Sequence, residues 1–183
     1  MNQGRVIIIT GSPGTGKTTI ASIVAKESDF TKSVHMHTDD FYHYLSKGAI
    51  PPYLPESKHQ NTIVIDAFLE AAKCYARGGY DVIVDGIIGP WFLTPWTRLA
   101  QEGYEVHYII LRASREETMK RAVERPKLSK ETNIEFVEIM WEQFTNIGEY
   151  ESRIINTTGI SINRTASIIK EHIKEKKYLL TYP

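Results

Sequence analysis

Residues 5–18 read Arg-Val-Ile-Ile-Ile-Thr-Gly-Ser-Pro-Gly-Thr-Gly-Lys-Thr, and this stretch decides the fold. Its first half contains four consecutive apolar, β-branched residues, which is typical of a buried strand in a parallel sheet. Residues 19–28 then place apolar side chains at the spacing of an amphipathic helix, namely at Ile20, Ile23 and Val24. The two flanks therefore predict a strand, a glycine-rich loop and a helix in succession.

The glycine-rich loop fits G-x-x-x-x-G-K-[ST], the phosphate-binding pattern known as Walker A. Its glycines allow positive φ angles and a close approach of the backbone to an anion, at a helix N-terminus that favours negative charge. Lys17 supplies positive charge for the β- and γ-phosphates, and the Thr18 hydroxyl can ligate Mg²⁺. The predicted nucleotide-binding residues are Gly11, Ser12, Pro13, Gly14, Thr15, Gly16, Lys17, Thr18 and the adjacent Thr19.

Size and composition are those of an ordinary globular domain. The chain has 183 residues, of which 42% are hydrophobic and 24% charged, so we expect a single domain over residues 1–183. Lys plus Arg and Asp plus Glu are both 22, and the resulting net charge of zero gives no electrostatic reason to expect nucleic acid or a membrane as partner. Composition leaves the oligomeric state open.

Targeting and redox features of the sequence point to the cytoplasm. No apolar run approaches the length of a membrane span, and the N-terminal apolar run is too short for a signal peptide. The single cysteine, Cys74, excludes an internal disulfide and suits a reducing compartment. Because Cys74 lies in a stretch of helical period, we predict a core position for its side chain. We therefore expect a cytoplasmic protein.

Two adjacent carboxylates follow the next predicted strand, residues 33–38. Open α/β sheets build their sites at the C-terminal ends of parallel strands, and a carboxylate beside a bound triphosphate would accept the proton of an attacking hydroxyl. Asp39 is the predicted base and Asp40 the alternative, although an aspartate pair that caps the next helix gives the same pattern. We interpret His35 and His37 as alternating strand residues without a ligand role.

A third predicted strand, residues 80–86, is apolar and closes on Asp85. An apolar strand that ends in aspartate beside a phosphate-binding loop is the Walker B arrangement, in which the carboxylate holds Mg²⁺ directly or through water. The same pattern describes any strand that enters a turn. We predict Asp85 and Thr18 as the metal ligands.

Two irregular segments lie on the predicted substrate side. Residues 43–60 contain three prolines within eight positions, which excludes a regular helix or central strand there, and we predict a flap over the substrate. Residues 86–96 contain two tryptophans and two prolines, which suit either the wall of a small-molecule pocket or packing of a loop on the core. The candidate substrate contacts are Asp40, Tyr42, Tyr53 and Trp91.

A capping box at residues 114–117 predicts a helix that carries Arg121 and Arg125 on one face. Two arginines on one face suit a lid over residues 121–131, which would close over the phosphates and neutralise charge in the transition state. A solvated basic face paired with neighbouring glutamates is the alternative. Arg112, at the end of the preceding strand, is a further candidate for contact with the nucleotide.

The remaining pattern completes an alternation of strands and helices. It predicts strands at 105–111 and 153–156 and a final helix that begins after Ser161. It also predicts a helix at residues 61–77 whose buried face consists of Ile63, Val64, Ala67, Phe68, Ala71 and Tyr75. This order requires a mostly parallel sheet with right-handed crossovers.

With these residues identified, the chain resembles the small P-loop kinases related to nucleoside monophosphate kinases. Gluconate kinase, shikimate kinase, chloramphenicol phosphotransferase and the zeta-toxin kinases are nearest in layout, and the likeness covers nearly the whole chain. Residues 39–42, Asp-Asp-Phe-Tyr, are also similar to a motif of uridine and nicotinamide riboside kinases. More narrowly, residues 37–40, 52–56 and 85–91 resemble a group of uncharacterised bacterial ATPases and kinases of the AAA family.

The resemblance implies a three-layer α/β fold of the P-loop NTPase type. It implies a five-stranded parallel sheet in the order 2-3-1-4-5 with helices on both faces and a short lid. ATP and Mg²⁺ are the implied cosubstrate and cofactor.

The predicted function is phosphorylation of a hydroxyl group on a small, partly apolar molecule. A kinase with an antibiotic or toxin role would use the same chemistry. A nucleotide-dependent switch or ATPase without an acceptor is the alternative from another functional class. A sugar-nucleotide or RNA 5′-end kinase is a further alternative, which the zero net charge does not favour.

Overall fold

The computed structural model describes residues 3–124 and 134–181. Its five strands are β1 (Arg5–Gly11), β2 (Ser33–His37), β3 (Asp81–Asp85), β4 (Glu105–Arg112) and β5 (Ile154–Asn156). They form one sheet in the order β2-β3-β1-β4-β5, and each neighbouring pair is parallel. The middle of the central β1, residues 6–9, is apolar and β-branched, as expected of a strand whose two faces are both covered by helices.

Seven α-helices surround the sheet in the described part of the chain. They are α1 (Lys17–Lys26), α2 (Thr38–His43), α3 (Lys58–Arg77), α4 (Thr94–Gln101), α5 (Arg115–Val123), α6 (Ile134–Gln143) and α7 (Ile162–Lys174). Short 3₁₀ turns lie at Pro55–Ser57, Pro90–Phe92 and Gly148–Arg153. No helix within the two described ranges is long and apolar enough to cross a membrane.

The hydrophobic core consists of two clusters, one on each face of the sheet, because side chains alternate between the two faces along each strand. Val6 and Ile8 of β1 belong to one cluster, which also contains the apolar side chains of α3 and α4. Ile7 and Ile9 belong to the other cluster, which also contains those of α1 and α7. The predicted three-layer α/β fold with the strand order 2-3-1-4-5 is confirmed.

Helix α3 differs from its prediction in start and in orientation. It begins at Lys58, so the last three residues of the predicted irregular segment belong to the helix. Its buried residues are Val64, Ile65, Phe68, Leu69, Ala72 and Ala76. Ile63 and Tyr75 are 55% and 41% exposed, because a shift of one residue turns a side chain by about 100° around the helix axis. Cys74 is exposed, so its predicted core position is wrong. It too lies outside the buried face of α3.

Candidate active site

The phosphate-binding loop connects the end of β1 to the start of α1. Gly11 and Gly14 have φ angles of 142° and 84°, a region that favours glycine. A Cβ atom at Gly11 would lie 2.1 Å from the carbonyl oxygen of Leu111 on β4, and one at Gly14 would lie 2.9 Å from that of Thr118 on α5. The neighbouring backbone therefore requires glycine at both positions.

Polar side chains of the loop are held by the loop backbone. The carbonyl oxygen of Ser12 accepts hydrogen bonds from Thr15 Oγ1 and Lys17 Nζ, both at 2.9 Å. Lys17 is only 9% exposed, so its charge lies within the loop. The Oγ atom of Ser12 is buried and has no hydrogen-bond partner in the part of the chain that the structure describes. Pro13 lies half-buried in the same loop.

Asp85, at the end of β3, accepts hydrogen bonds from three side chains. Thr18 Oγ1 donates to Asp85 Oδ2 at 2.6 Å, His35 Nε2 lies 2.7 Å from Oδ1, and His37 Nδ1 lies 3.0 Å from Oδ2. The Asp85 side chain is fully buried. Burial by itself would raise the pKa of Asp85, but the bonds from His35, His37 and Thr18 hold it well below its usual range. Asp85 is therefore a carboxylate.

His37 connects Asp85 to Asp39. Its Nε2 atom lies 3.3 Å from Asp39 Oδ2, while its Nδ1 contacts Asp85. Hydrogen bonding to Asp39 and then to Asp85 raises the pKa of His37 to about 10, against the opposing effect of burial. Both ring nitrogens therefore donate from an imidazolium cation. We call Asp85, Thr18, His35, His37 and Asp39 the Asp85 network.

Sequence reasoning did not assign the two histidines a role in the site. Their position follows from the parallel register, which places His37 of β2 opposite Asp85 of β3. His35 lies two residues earlier and therefore on the same face of the sheet. Histidines two residues apart at the end of a strand, together with an aspartate at the end of the neighbouring strand, are the pattern that could have identified them.

Asp39 lies in the first turn of α2, and its side chain is 57% exposed. The hydrogen bond from His37 lowers the pKa of Asp39, and the positive charge of Lys17 acts in the same direction. Tyr42 follows one turn later, and burial together with the charge of Asp39 raises its pKa to about 12. The site therefore presents an ionised carboxylate beside a neutral phenol. Asp40 is exposed on α2.

A cavity of about 750 Å³ opens beside Asp39. Three of the four candidate substrate contacts line it, namely Tyr42, Tyr53 and Trp91, and Asp40 is not among the described residues that do. Residues 45–53 form one wall, and the 3₁₀ turn at Pro90–Phe92 and helix α6 contribute others. The structure thus brings the predicted base, the predicted flap and one predicted tryptophan to one cavity.

The two tryptophans of residues 86–96 have different environments. Trp91 is 54% exposed at the cavity, whereas Trp96 is fully buried in the core. Each of the two alternatives for this segment therefore describes one of them. Ile88 fixes the segment to the sheet, because its N–H donates to Thr10 Oγ1 at 2.8 Å and its carbonyl accepts from Tyr108 at 2.7 Å.

The candidate arginines have protein partners where the structure describes them. Arg121 Nε donates to Glu117 Oε1 at 2.9 Å, which is the ion pair expected of the alternative to a lid. Arg112 donates to both carboxylate oxygens of Glu151, at 2.9 and 2.7 Å, and to a backbone carbonyl. These bonds hold the Arg112 side chain toward Glu151, and its contact with a nucleotide stays a prediction. Arg125 and residues 125–131 of the predicted lid lie outside the described residues.

The residues of the loop and of β3 fit a bound polyphosphate and Mg²⁺. Gly11, Gly14 and Gly16 have the positive φ angles with which successive backbone N–H groups can converge on an anion, and the buried Ser12 hydroxyl, without a partner among the described residues, can donate a further hydrogen bond. Mg²⁺ is usually held by one or two protein oxygen ligands together with substrate phosphates and waters. The adjacent oxygens of Thr18 and Asp85 are such a pair. Thr19 is exposed beside Thr18 in the first turn of α1.

Comparison with known proteins relates the chain to one family. A model of the AAA domain family matches residues 7–141. No curated protein sequence matches the chain at a significant level.

Solved structures of other proteins share the fold over nearly the whole chain. The chain is similar to the tunicamycin resistance protein of Deinococcus radiodurans, with 23% identity and a TM-score of 0.64 over 93% of this chain and 96% of that one. A gluconokinase from Sinorhizobium meliloti has 15% identity and a TM-score of 0.61 over 97% of each chain. The Mycobacterium tuberculosis APS kinase, solved with AMPPNP and APS, has 16% identity and a TM-score of 0.64 over 95% and 99% of the chains.

Proposed function

The chain belongs to the AAA domain family and has the fold of the small P-loop kinases, and on this premise we propose that it transfers a phosphoryl group from ATP to a hydroxyl group of a small molecule. One observation carries the proposal. The carboxylate of Asp39 is connected through His37 and Asp85 to Thr18 of the phosphate-binding loop, and it also lines the cavity of about 750 Å³. These contacts support the proposal that Asp39 is the base and acts between the proposed nucleotide and acceptor sites.

Each side chain of the site has a role in the proposed transfer. Backbone N–H groups of the loop and the ammonium of Lys17 hold the triphosphate, and Thr18 and Asp85 hold Mg²⁺. When bound, Mg²⁺ supplies positive charge that neutralises the phosphate oxygens. Asp39 orients the acceptor hydroxyl and accepts its proton as the new O–P bond forms and the bond between the γ-phosphorus and ADP breaks. Closure of Arg121 and Arg125 over the transferring group stays a prediction, because Arg121 pairs with Glu117 in the structure and Arg125 lies outside the described residues.

A screen of hydroxylated metabolites and drugs tests the proposed function. Consumption of ATP with Mg²⁺ is measured together with the mass of the phosphorylated product, and Lys17→Ala serves as the blank. The proposal expects at least one acceptor whose mass increases by one phosphoryl group. ATP hydrolysis that no acceptor stimulates, combined with nucleotide-dependent binding of another macromolecule, would favour the switch instead.

Replacing Asp85 is expected to change the metal requirement of the reaction. Asp85→Asn removes the negative charge beside Thr18, so half-maximal activity should require about 10- to 100-fold more Mg²⁺. The free energy of unfolding should also fall by about 1–3 kcal/mol, because Thr18, His35 and His37 lose the charged acceptor of their hydrogen bonds. Activity is measured across a Mg²⁺ titration, and stability by urea unfolding.

Asp81 provides a matched control at the other end of β3. It is fully buried like Asp85 but pairs with Arg5, whose Nε lies 2.9 Å from Asp81 Oδ1. Asp81→Asn should destabilise the fold by a comparable or larger amount, about 3–5 kcal/mol, and leave the Mg²⁺ requirement unchanged. An equal shift in Mg²⁺ requirement in both variants would argue against a metal role for Asp85.

His37 is expected to act as a positioning residue for Asp39. His37→Asn retains a donor at the place of Nδ1, toward Asp85, whereas His37→Gln retains one at the place of Nε2, toward Asp39. Both variants should lower kcat, the asparagine variant by about 10- to 100-fold and the glutamine variant by less, with little change in KM for ATP. Steady-state kinetics of both variants measure this split.

His35→Gln is the control, because His35 contacts Asp85 through its Nε2 atom. The glutamine keeps a donor at that position, so kcat should change little. If His37→Gln and His37→Asn lower kcat equally, or if the loss appears in KM for ATP, His37 does not act by orienting Asp39.

A further inference from the structure

We infer that the cavity beside Asp39 binds an uncharged alcohol with a sizeable apolar body, and not a carboxylated or phosphorylated metabolite. This inference rests on the proposed kinase function, since it identifies the chemical class of the acceptor at the same site. The chemistry of the cavity wall, the state of its amide groups and the exposure of its aromatic rings support it.

The cavity wall is apolar and contains one acidic group. Most of its described lining is aromatic or aliphatic, including Tyr53, Ile65, Ile87, Trp91, Phe92 and Met140. Among the described lining residues, Asp39 is the only carboxylate, His43 is the only histidine, and none is a lysine or arginine. An anionic acceptor would lose its hydration against this wall and meet the charge of Asp39, and His37, the cation beside Asp39, already pairs with that carboxylate at 3.3 Å. An uncharged molecule meets neither penalty.

Two of the three amide side chains in the described lining, those of Gln60 and Asn61, bond to the cavity wall. Gln60 Oε1 accepts from the N–H of Ile50 at 2.8 Å, and Gln60 Nε2 donates to the carbonyl of the same residue at 2.7 Å. Asn61 Nδ2 donates to the carbonyl of Pro52 at 2.8 Å and to Ser57 Oγ at 2.9 Å. These hydrogen bonds connect residues 50–57 to the first turns of α3. This part of the wall is therefore formed before a ligand binds. The buried Asn61 Oδ1, which has no partner among the described residues, is left as an acceptor for an uncharged hydroxyl group and not for an anion.

Exposed aromatic rings at the cavity are the surface that such a ligand would cover. Tyr53 and Trp91 are 65% and 54% exposed, and both line the cavity. Tyr53 packs against Phe136 of α6 with ring centroids 5.4 Å apart, and Trp91 packs against Phe144 at 5.2 Å. Each ring is thus held on one side and open on the other. The cavity volume of about 750 Å³ lies in the range of sites for drug-sized ligands.

Paired alcohols that differ only in charge test the inference. The probes are biphenylmethanol, its ring carboxylate and its ring aminomethyl derivative, followed by further uncharged aromatic and alicyclic alcohols with their carboxylated analogues. Binding is measured without nucleotide, by calorimetry and by tryptophan fluorescence, with Trp91→Phe to assign the fluorescence change. Phosphorylated product is then measured with ATP and Mg²⁺. Uncharged members should bind at least about ten-fold more tightly than their carboxylated partners.

Variants of the wall locate the binding. Tyr53→Ala and Trp91→Ala should each weaken binding of the uncharged alcohols by about ten-fold, because each removes a large apolar contact. Tyr75→Ala is the matched control, since Tyr75 is a partly exposed tyrosine of α3 that does not line the cavity. Thermal unfolding of the three variants verifies that they fold. An equal effect of Tyr75→Ala would overturn the assignment of the site.

The outcomes separate this inference from the proposed function. Uncharged alcohols that bind and are phosphorylated support both. Preferential binding or phosphorylation of the carboxylated or aminomethyl partners overturns the inference and leaves the kinase function intact. Uncharged alcohols that bind at Tyr53 and Trp91 without ever being phosphorylated support the ligand class and overturn the kinase function. Failure of every uncharged alcohol to bind overturns the inference.

Discussion

Asp39→Asn is expected to lower kcat by about 10²- to 10⁴-fold, the usual contribution of a general base, while ATP binds as before. Asparagine has nearly the same shape as aspartate but does not accept the proton of the acceptor hydroxyl. Asp39 lines the cavity and contacts the phosphate-binding loop through His37 and Asp85, so we expect its replacement to leave the residues proposed to hold the nucleotide in place. Single-turnover kinetics give the rate of the chemical step, and calorimetry gives the affinity for ATP.

Asp40→Asn is the matched control for Asp39→Asn. It removes the same charge one position along α2, from an exposed side chain that is not among the described residues of the cavity wall. We expect little change in kcat. Unchanged turnover in Asp39→Asn, together with a large loss in Asp40→Asn, would transfer the role of base to Asp40.

Lys17→Ala is expected to affect nucleotide binding and turnover together. Charge-assisted hydrogen bonds are worth about 1.5–3 kcal/mol, so removal of the ammonium should weaken ATP binding by about 10- to 100-fold. The loss in kcat/KM should be larger, on the order of 10³-fold or more, because positive charge near the γ-phosphate also stabilises the transition state. Both effects follow from the buried position of Lys17 within the loop. Calorimetry and steady-state kinetics measure them.

Lys26→Ala controls for the loss of one positive charge from α1. Lys26 lies exposed in the last turn of the same helix, away from the loop. Its replacement should leave ATP binding and turnover nearly unchanged. Equal weakening of ATP binding in both variants would mean that Lys17 acts through general charge and not through contact with the phosphates.

The fold could be predicted because its deciding features are local in the sequence. The β-branched run before Gly11 and the helical spacing after Lys17 can be recognised in the sequence without knowledge of tertiary contacts. The strand order comes from the resemblance to P-loop kinases. The orientation of α3 was less well determined. Its sequence carries apolar residues at Ile63 and Tyr75 as well as on the true buried face, so two neighbouring faces compete, and only the packing on the sheet decides between them.

The candidate site was predictable residue by residue but not as a network. Strand ends identified Asp39 and Asp85 as candidates, yet the link between them depends on the register of β2 against β3. Register is a long-range property, and a shift by one residue would place His37 on the other face of the sheet. The sequence also does not indicate which of Trp91 and Trp96 is exposed and which is buried, since both lie in one proline-containing segment.

A crystal structure of the protein with a non-hydrolysable ATP analogue, Mg²⁺ and no acceptor tests the central claim most directly. We predict the triphosphate in the loop of residues 11–18 and the metal ion beside Thr18 and Asp85. We also predict that the carboxylate of Asp39 faces the γ-phosphate across space for one hydroxyl group. A γ-phosphate that points away from Asp39 and the cavity, or a triphosphate bound outside the loop, would contradict the account.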